Sequence, residues 1–415
     1  KNKIMKIKHR IIYGLLLCTL SLTVKAQQEY LPLDSVLARV AANPLLRTYD
    51  AQINAQNAYA GSARSLDAPK LSAGQYQTPY QLKPDGGSFM VTADQMFTNP
   101  AKLRAKENYM KSISRVTAEE KKYMNNQLNA QAKQYYFERA ILEKKLALLD
   151  NTSGLLEYML KASNIRLTYG KEKLDNIYKT KAELFQLDNS REEIKSEIKQ
   201  KNILLNTLMN RDKGQDFMVD TTLVVRDYAA TVSDTATLAA VRSDIRGIDR
   251  SIELQQLNAK VEYSKRKPDF GLQAGHMFSY GGMPNQYILM GSITIPIAPW
   301  SSKSYKANLK GNQYEIDQQR ERKTSLLNQA EGELAGLKAA WTGKSRQLKN
   351  YRQNIIPALQ NSYKTSLLAY EQNTGELLPV LESIKSLQTA RMDALERLGE
   401  ILSIQVAYEK ENEMH

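Results

Sequence analysis

Four hundred and fifteen residues can bury one large core or two ordinary ones. Only 42% of them are apolar, mean hydropathy is −0.51, and 23 Tyr stand beside just 7 Phe and 2 Trp. A compact enzyme of this length carries more bulky apolar mass, whereas long helices with one thin apolar stripe need less, so the leanness points to an elongated form. The net charge of +14 raises nucleic-acid binding, but the positive residues are interleaved with acidic ones rather than gathered into a stripe.

Much of that charge sits at the N-terminus. Lys1, Lys3, Lys6, Lys8 and Arg10 precede an apolar run of about 14 residues that ends at Val24, and Val24-Lys25-Ala26 offers small residues before Gln27. This predicts a cleaved export signal over 1–26, since a membrane helix needs about 20 apolar residues. Its removal takes away six positive residues and no acidic one, leaving +8. Cys18, the single cysteine, lies inside the segment after Leu17, which argues against acylation. Without it there is no disulfide framework and no thiol chemistry. With only His276 and His415 remaining, no cofactor and no histidine-based metal site is expected.

Along the mature chain, 33–63 reads as a helix with Asp34 as its N-cap, interrupted at Asn43-Pro44. Pro69 opens a strand to about 80, Lys83-Pro84-Asp85-Gly86-Gly87 is a turn, and 88–97 is a second strand. From 101 to 168 no proline occurs; as one helix this run measures roughly 100 Å at 1.5 Å per residue. Such a rod belongs to a coiled coil or a helical tube. Tyr169-Gly170 breaks it, and a return arm runs over 171–209. A polar link, 211–236, carries a short β-prone piece at 221–225.

The plan then recurs. Helix is expected over 237–266, strands over 268–280 and 286–297 around Gly281-Gly282, a rod over 304–371 that Pro357 should bend or divide, a break at Asn373-Thr374-Gly375, and a last arm over 377–411. Residues 53–103 and 252–302 superpose without a gap at an offset of 199, with Ile53 on Ile252, Pro69 on Pro268 and Pro100 on Pro299. This reads as a tandem duplication, with repeats at 27–210 and 237–415, a period too long for a solenoid.

The strands bear on location. Phe270, Leu272, Ala274, His276 and Phe278 alternate with Asp269, Gly271, Gln273, Gly275 and Met277, a pattern that fits a spanning strand of an outer-membrane barrel. Taken singly, each such strand fits a soluble sheet equally well. Four strands cannot close a barrel, and open edges cannot face lipid. Two chains would give eight strands and three would give twelve, and only the larger barrel leaves a channel, so a homotrimer is expected. Ala73, Gly74, Gly271, Gly275 and Gly291 are read as small residues on one side of a bending wall.

The pieces 33–44 (LDSVLARVAANP), 63–71 (ARSLDAPKL), 169–174 (YGKEKL) and 292–299 (SITIPIAP), within a plan of Asn-Pro helix, Pro-led strand pair, very long helix and Tyr-Gly break carried out twice, resemble the TolC-like outer membrane efflux factors over essentially the whole mature chain. The resemblance implies a mostly α fold with transmembrane β: a homotrimer with a twelve-stranded barrel in the outer membrane lipid of a Gram-negative cell and an α-helical periplasmic tunnel. It further implies a passive exit duct for an efflux or type I secretion-like system, docked on a periplasmic adaptor protein and an inner-membrane pump. Tyr169, Gly170, Lys171, Lys173, Gly375 and Glu376 would lie at the periplasmic tip and meet the adaptor. Asp175, with Glu172 and Glu382, would border the aperture. The family-like position near Val380-Leu381 is apolar here, which leaves the acidic ring incomplete in the second repeat. At both turns the glycine is expected to take a positive φ.

No nucleophile elbow, phosphate loop, HExxH or Cys/His cluster supports an enzyme. The remaining rival is an exported coiled-coil scaffold without channel activity, which explains the rods but not four alternating strands. The cargo is not encoded legibly: Met90, Met96, Met277 and Met290 are scattered along the sequence with no tight cluster to suggest a soft-metal relay, which weakens a copper or silver exporter but leaves it open.

Overall fold

The computed structural model describes residues 29–80, 86–228 and 234–414. The expected signal segment, Cys18, His415 and Lys83-Pro84-Asp85 of the first turn lie outside the described residues. The chain divides into two compact units, one drawn from 1–39, 135–224 and 351–399, the other from 40–134, 225–350 and 400–415. Each unit therefore takes segments from both halves of the sequence.

In the first unit, strand β1 (Glu29–Leu31) pairs in parallel with β4 (Phe217–Val219). Helix α1 (Leu33–Val40) follows, and its first turn is closed by Pro32, whose carbonyl accepts from Ser35 and Val36 N–H. Asp34 thus lies within the first turn and is not the N-cap. The β-prone piece at 221–225 forms no strand; residues 217–219 do instead. Tertiary contacts select them. Phe217 is buried, with the Arg139 guanidinium 4.3 Å and that of Arg211 5.3 Å from its ring centroid. The Arg139 guanidinium also donates to Phe217 O and, at 2.6 Å, to Asn202 Oδ1. Tyr136 Oη donates to Leu31 O at 3.0 Å and accepts from Asp220 N–H at 2.8 Å, tying β1 to the chain beyond β4.

The rest of this unit is coiled coil. Leu142, Leu149 and Leu156 of α3 (Pro100–Thr168) recur every seven residues and pack with Leu187 and Ile194 of α4 (Leu174–Leu208), Tyr370 of α8 (Ile356–Glu371), and Leu377, Val380, Leu381 and Ile384 of α9 (Leu377–Glu411). That spacing keeps one seam facing its partners along the helix.

In the second unit, α2 (Pro44–Gly61) is capped by Asn43, whose Oδ1 accepts from Leu45 N–H at 2.9 Å. The break at Asn43-Pro44 is where the sequence puts it. The helix expected over 237–266 is two, α5 (Thr235–Val241) and α6 (Ser243–Ser264), because Arg242 is extended between them. Its guanidinium is held by Asp244 and Glu411. α6 packs along α7 (Pro299–Asn350).

The rod expected at 304–371 starts at Pro299 and is divided by one π-helical turn, Tyr351–Ile355, from α8. Pro357 has no N–H to offer the carbonyl of Gln353, and the wider turn just before it accommodates the loss.

The sheet of this unit has the order β2 (Lys70–Tyr76), β3 (Ser88–Phe97), β5 (Phe270–Ser279), β6 (Gln286–Ile293), antiparallel throughout. Three strands are shorter than expected. β2 stops where Gln77 takes φ +52°, β5 loses a residue or two at each end, and β6 stops short of Pro296. At the sheet's base Asp269 accepts from Asn99 N–H at 2.8 Å and from Lys102 Nζ at 2.6 Å, fastening the start of α3 to the start of β5.

Candidate functional site

Two places in the chain could carry function, one in each unit. The first is the four-stranded sheet. Residues paired across antiparallel strands share a face, and the next pair faces the other way. Phe97, Phe270 and Ile293 form one row; Ala93, Ala274 and Leu289 another; Val91, His276 and Tyr287 a third; and Phe89 pairs with Phe278. This face is apolar and exposed, with Leu71 at 77% and Leu289 at 66% of full exposure.

The opposite face carries Ser72, Thr92, Asp94, Gln273, Ser279, Gln286 and Ser292, with Ser88 and Thr92 buried on it. The five small residues expected on one side are split. Gly74, Gly271 and Gly275 lie on the polar face, while Ala73 and Gly291 lie on the apolar one. At Gly271 and Gly275 the missing side chain matters. A Cβ at Gly275 would stand 2.8 Å from Thr92 Cγ2 and 2.8 Å from Ile288 Cγ2. Among the described residues the outer edges of β2 and β6 pair with no strand. No helix among them is long and apolar enough to cross a membrane, and no cluster of His, Cys, Asp or Glu could hold a metal ion.

The second place is the pair of turns ending α3 and α8. Both close with the same hydrogen bonds: Lys171 N–H to Arg166 O and Gly170 N–H to Leu167 O in one, Thr374 N–H to Ala369 O and Asn373 N–H to Tyr370 O in the other. The residue just past the helix must then be left-handed. Gly170 is so in the first turn, with φ +71°, but in the second it is Asn373, with φ +59°. Gly375 does not adopt a positive φ; a Cβ there would lie 3.0 Å from Ala369 Cβ and 3.3 Å from Tyr370 N, so the neighbouring turn would have to give way by a few tenths of an ångström.

A clasp joins the two turns. The Arg166 guanidinium lies 4.0 Å from the Tyr370 ring centroid, donates to Tyr370 O at 2.6 Å and reaches Asn373 Oδ1. Tyr370 Oη donates to Glu172 Oε2 at 3.0 Å and lies 3.4 Å from Ser163 Oγ. Burial pushes the Tyr370 phenol above its ordinary pKa, and the Glu172 carboxylate adds to the rise. The other Glu172 oxygen accepts from Asn176 Nδ2 and Lys173 N–H. Both of its oxygens are therefore engaged within the chain. Asp175 is exposed and paired with Lys179 at 2.7 Å; Lys173 approaches Glu376 at 3.6 Å; Tyr169, Lys171 and Glu382 are exposed.

Arg166, Ser163, Tyr370 and Asn373 were not singled out as site residues from the sequence. An Arg in the last turn before Tyr-Gly, and an Asn in the left-handed position of Asn-Thr-Gly, were the available signals.

Helical hairpins carrying a four-stranded, two-faced sheet with open edges define the fold class. The chain matches no protein-family model and no curated protein. Solved structures do share its fold. The outer-membrane channel OprN superposes with a TM-score of 0.75 at 14% identity, covering 92% of this chain and 89% of that one. The outer membrane protein VceC of Vibrio cholerae gives 0.72 at 16%, covering 92% and 95%. The open state of the Neisseria gonorrhoeae MtrE outer membrane channel gives 0.71 at 16%, covering 92% and 88%. The fold is that of these outer-membrane channels, as the TolC-like resemblance of the sequence implies.

Proposed function

We propose that this chain is one protomer of a trimeric outer-membrane channel, the passive exit duct of an efflux or type I secretion-like system in a Gram-negative envelope. The observation that carries the reading is the sheet: one exposed apolar face, one polar face, and two edges that pair with no strand among the described residues. An apolar face of that breadth is stable against lipid, but open edges in lipid are not, because each unpaired N–H and C=O costs several kcal/mol. Three copies joined β6 to β2 supply twelve strands and a polar lumen. The tandem duplication accounts for two strands per half.

The turns at Gly170 and Asn373-Thr374-Gly375 form the periplasmic entrance. There Tyr169, Lys171, Lys173 and Glu376 meet a periplasmic adaptor and, through it, an inner-membrane pump. Asp175 and Glu382 border the aperture, with Lys179 moderating the charge of Asp175. Glu172 serves the clasp.

Mass measurement in detergent and planar-bilayer recording test the reading together. A trimer with discrete current steps is expected. A water-soluble monomer that never conducts would leave the exported scaffold as the better description. The clasp has its own test. Removing a charge-assisted hydrogen bond costs about 1.5–3 kcal/mol when buried and less here at a half-exposed site. Arg166→Ala should therefore shift the entrance toward its open form by about tenfold, seen as raised single-channel conductance, with Arg166→Lys between it and wild type. Equal conductance in all three would remove the clasp from gating.

A further inference from the structure

The strand register brings together side chains that the sequence leaves apart. Met90, Met96, Met277 and Met290 are far apart in the chain, yet all four fall on the polar face of the sheet and none on the apolar one. Met90 pairs directly with Met277 in the row Gly74–Met90–Met277–Gln286. Met290 shares a row with Gln273, Asp94 and Lys70. Met96 lies across from Gly271, and its Sδ stands 2.7 Å from where a Cβ of that glycine would be, so the glycine leaves room for the thioether.

This segregation runs against simple hydrophobic sorting. Phe, Leu, Val and Ile of the sheet are sorted overwhelmingly to the apolar face, and a methionine serving only as filler belongs there too. What methionine adds on the polar face is a soft donor. Thioethers bind Cu(I) and Ag(I) and ignore hard cations such as Mg²⁺ or Ca²⁺. Directly opposed residues on one face have Cβ atoms about 4.5–5.5 Å apart. Two side chains with three rotatable bonds each can from there place both sulfurs on one ion. Met90 and Met277 are half-buried, and the Gln286 amide is next in the row. No cysteine is present among the described residues to compete for a soft ion.

We propose that the Met90–Met277 pair is a binding site for a soft monovalent cation, Cu(I) or Ag(I), on the inner wall of the barrel, with Met96 and Met290 as further thioether positions along the same face. The placement on an inner wall rests on the channel reading. The site itself rests on the register alone.

Silver is the probe. Purified protein in detergent and chloride-free buffer is equilibrated with silver nitrate, desalted, and its silver measured by mass spectrometry. Wild type should retain silver, and Met90→Leu/Met277→Leu, which keeps side-chain volume, should lose most of it while assembling to the same mass. Equal retention by both, or none by wild type, overturns the site. Recording the same channels in nitrate electrolyte before and after silver addition tests the location. Silver should reduce wild-type current at concentrations about tenfold lower than it does in the double variant, as expected if two soft ligands are lost. Retention without any current in either protein would defeat the channel reading and leave the site standing; current insensitive to silver despite retention would move the site off the inner wall.

Discussion

Leu289→Arg is expected to prevent membrane assembly, and Gln273→Arg to permit it. The two positions lie near the middle of neighbouring strands but on opposite faces of the sheet: Leu289 pairs with Ala274, and Gln273 pairs with Asp94 and Met290. On the lipid face of an outer-membrane barrel an arginine near the midplane costs about 2–4 kcal/mol. A trimer would incur that cost three times. On the polar face the guanidinium stays hydrated and, in the proposed channel, would add positive charge to the lumen wall. The measurement is the yield of trimer extracted from membranes, followed by reversal potentials in a salt gradient. Leu289→Arg should give little trimer, and Gln273→Arg should give normal amounts with selectivity shifted toward anions. If the two variants assemble equally well, the apolar face does not meet lipid.

The second large effect lies in the helices of the same unit. Lys133 Nζ and Glu409 Oε2 are 2.6 Å apart with side chains only 9% and 4% exposed. Glu409 Oε1 accepts from Tyr228 Oη at 2.7 Å and from Gln405 Nε2 at 3.0 Å. Glu409→Ala leaves the Lys133 ammonium buried without a counter-charge, and breaking such a pair from one side costs about 3–5 kcal/mol. Chemical denaturation in detergent should show that loss. The double variant Lys133→Met/Glu409→Leu should recover most of it, since the penalty belongs to the orphaned charge.

The same cluster sets a pH dependence. Burial alone would raise the pKa of Glu409, but the hydrogen bonds from Lys133 and Tyr228 outweigh it and hold the carboxyl below the usual range. A carboxyl whose folded pKa is depressed contributes stability that is complete above its unfolded value and is lost as pH falls through the folded one. Wild type should therefore lose stability on acidification below the ordinary glutamate range, and the double variant should lose less over the same window.

Much of the architecture is legible in the chain because its signals are local. Alternation at Phe270–Phe278, the Asn43-Pro44 break, the proline-free run into α3 and the Tyr169-Gly170 stop each act within a few residues, and each appears in the structure within a few residues of its expected place. The failures share a cause. β4 forms at Phe217 rather than at 221–225 because two arginines from elsewhere in the unit grip the Phe217 ring. Gly375 is crowded by Ala369 and takes no positive φ, since Asn373 already turns the chain. Arg166 and Tyr370 are 204 residues apart in sequence. The methionines look scattered until register pairs residue 90 with residue 277. Such facts depend on which strand or helix lies opposite, and periodicity does not carry that information.

The π-helical turn at Tyr351–Ile355 has a consequence for how this chain tolerates changes in length. Along α7 the buried positions Leu334 and Leu348 are two heptads apart, and in α8 Tyr363 and Tyr370 are one heptad apart, but Leu348 and Tyr363 are separated by 15 positions, one more than the rhythm allows. The widened turn absorbs that surplus residue, as an insertion in a helical repeat must be absorbed somewhere. A one-residue deletion between 351 and 355 would remove the surplus and restore plain α-helical winding. The same deletion inside α7 or inside α8 would rotate the later contacts of that helix by about 100°. This short stretch is thus a slip joint, where the reading of seven can lose a beat while the count on either side stays whole.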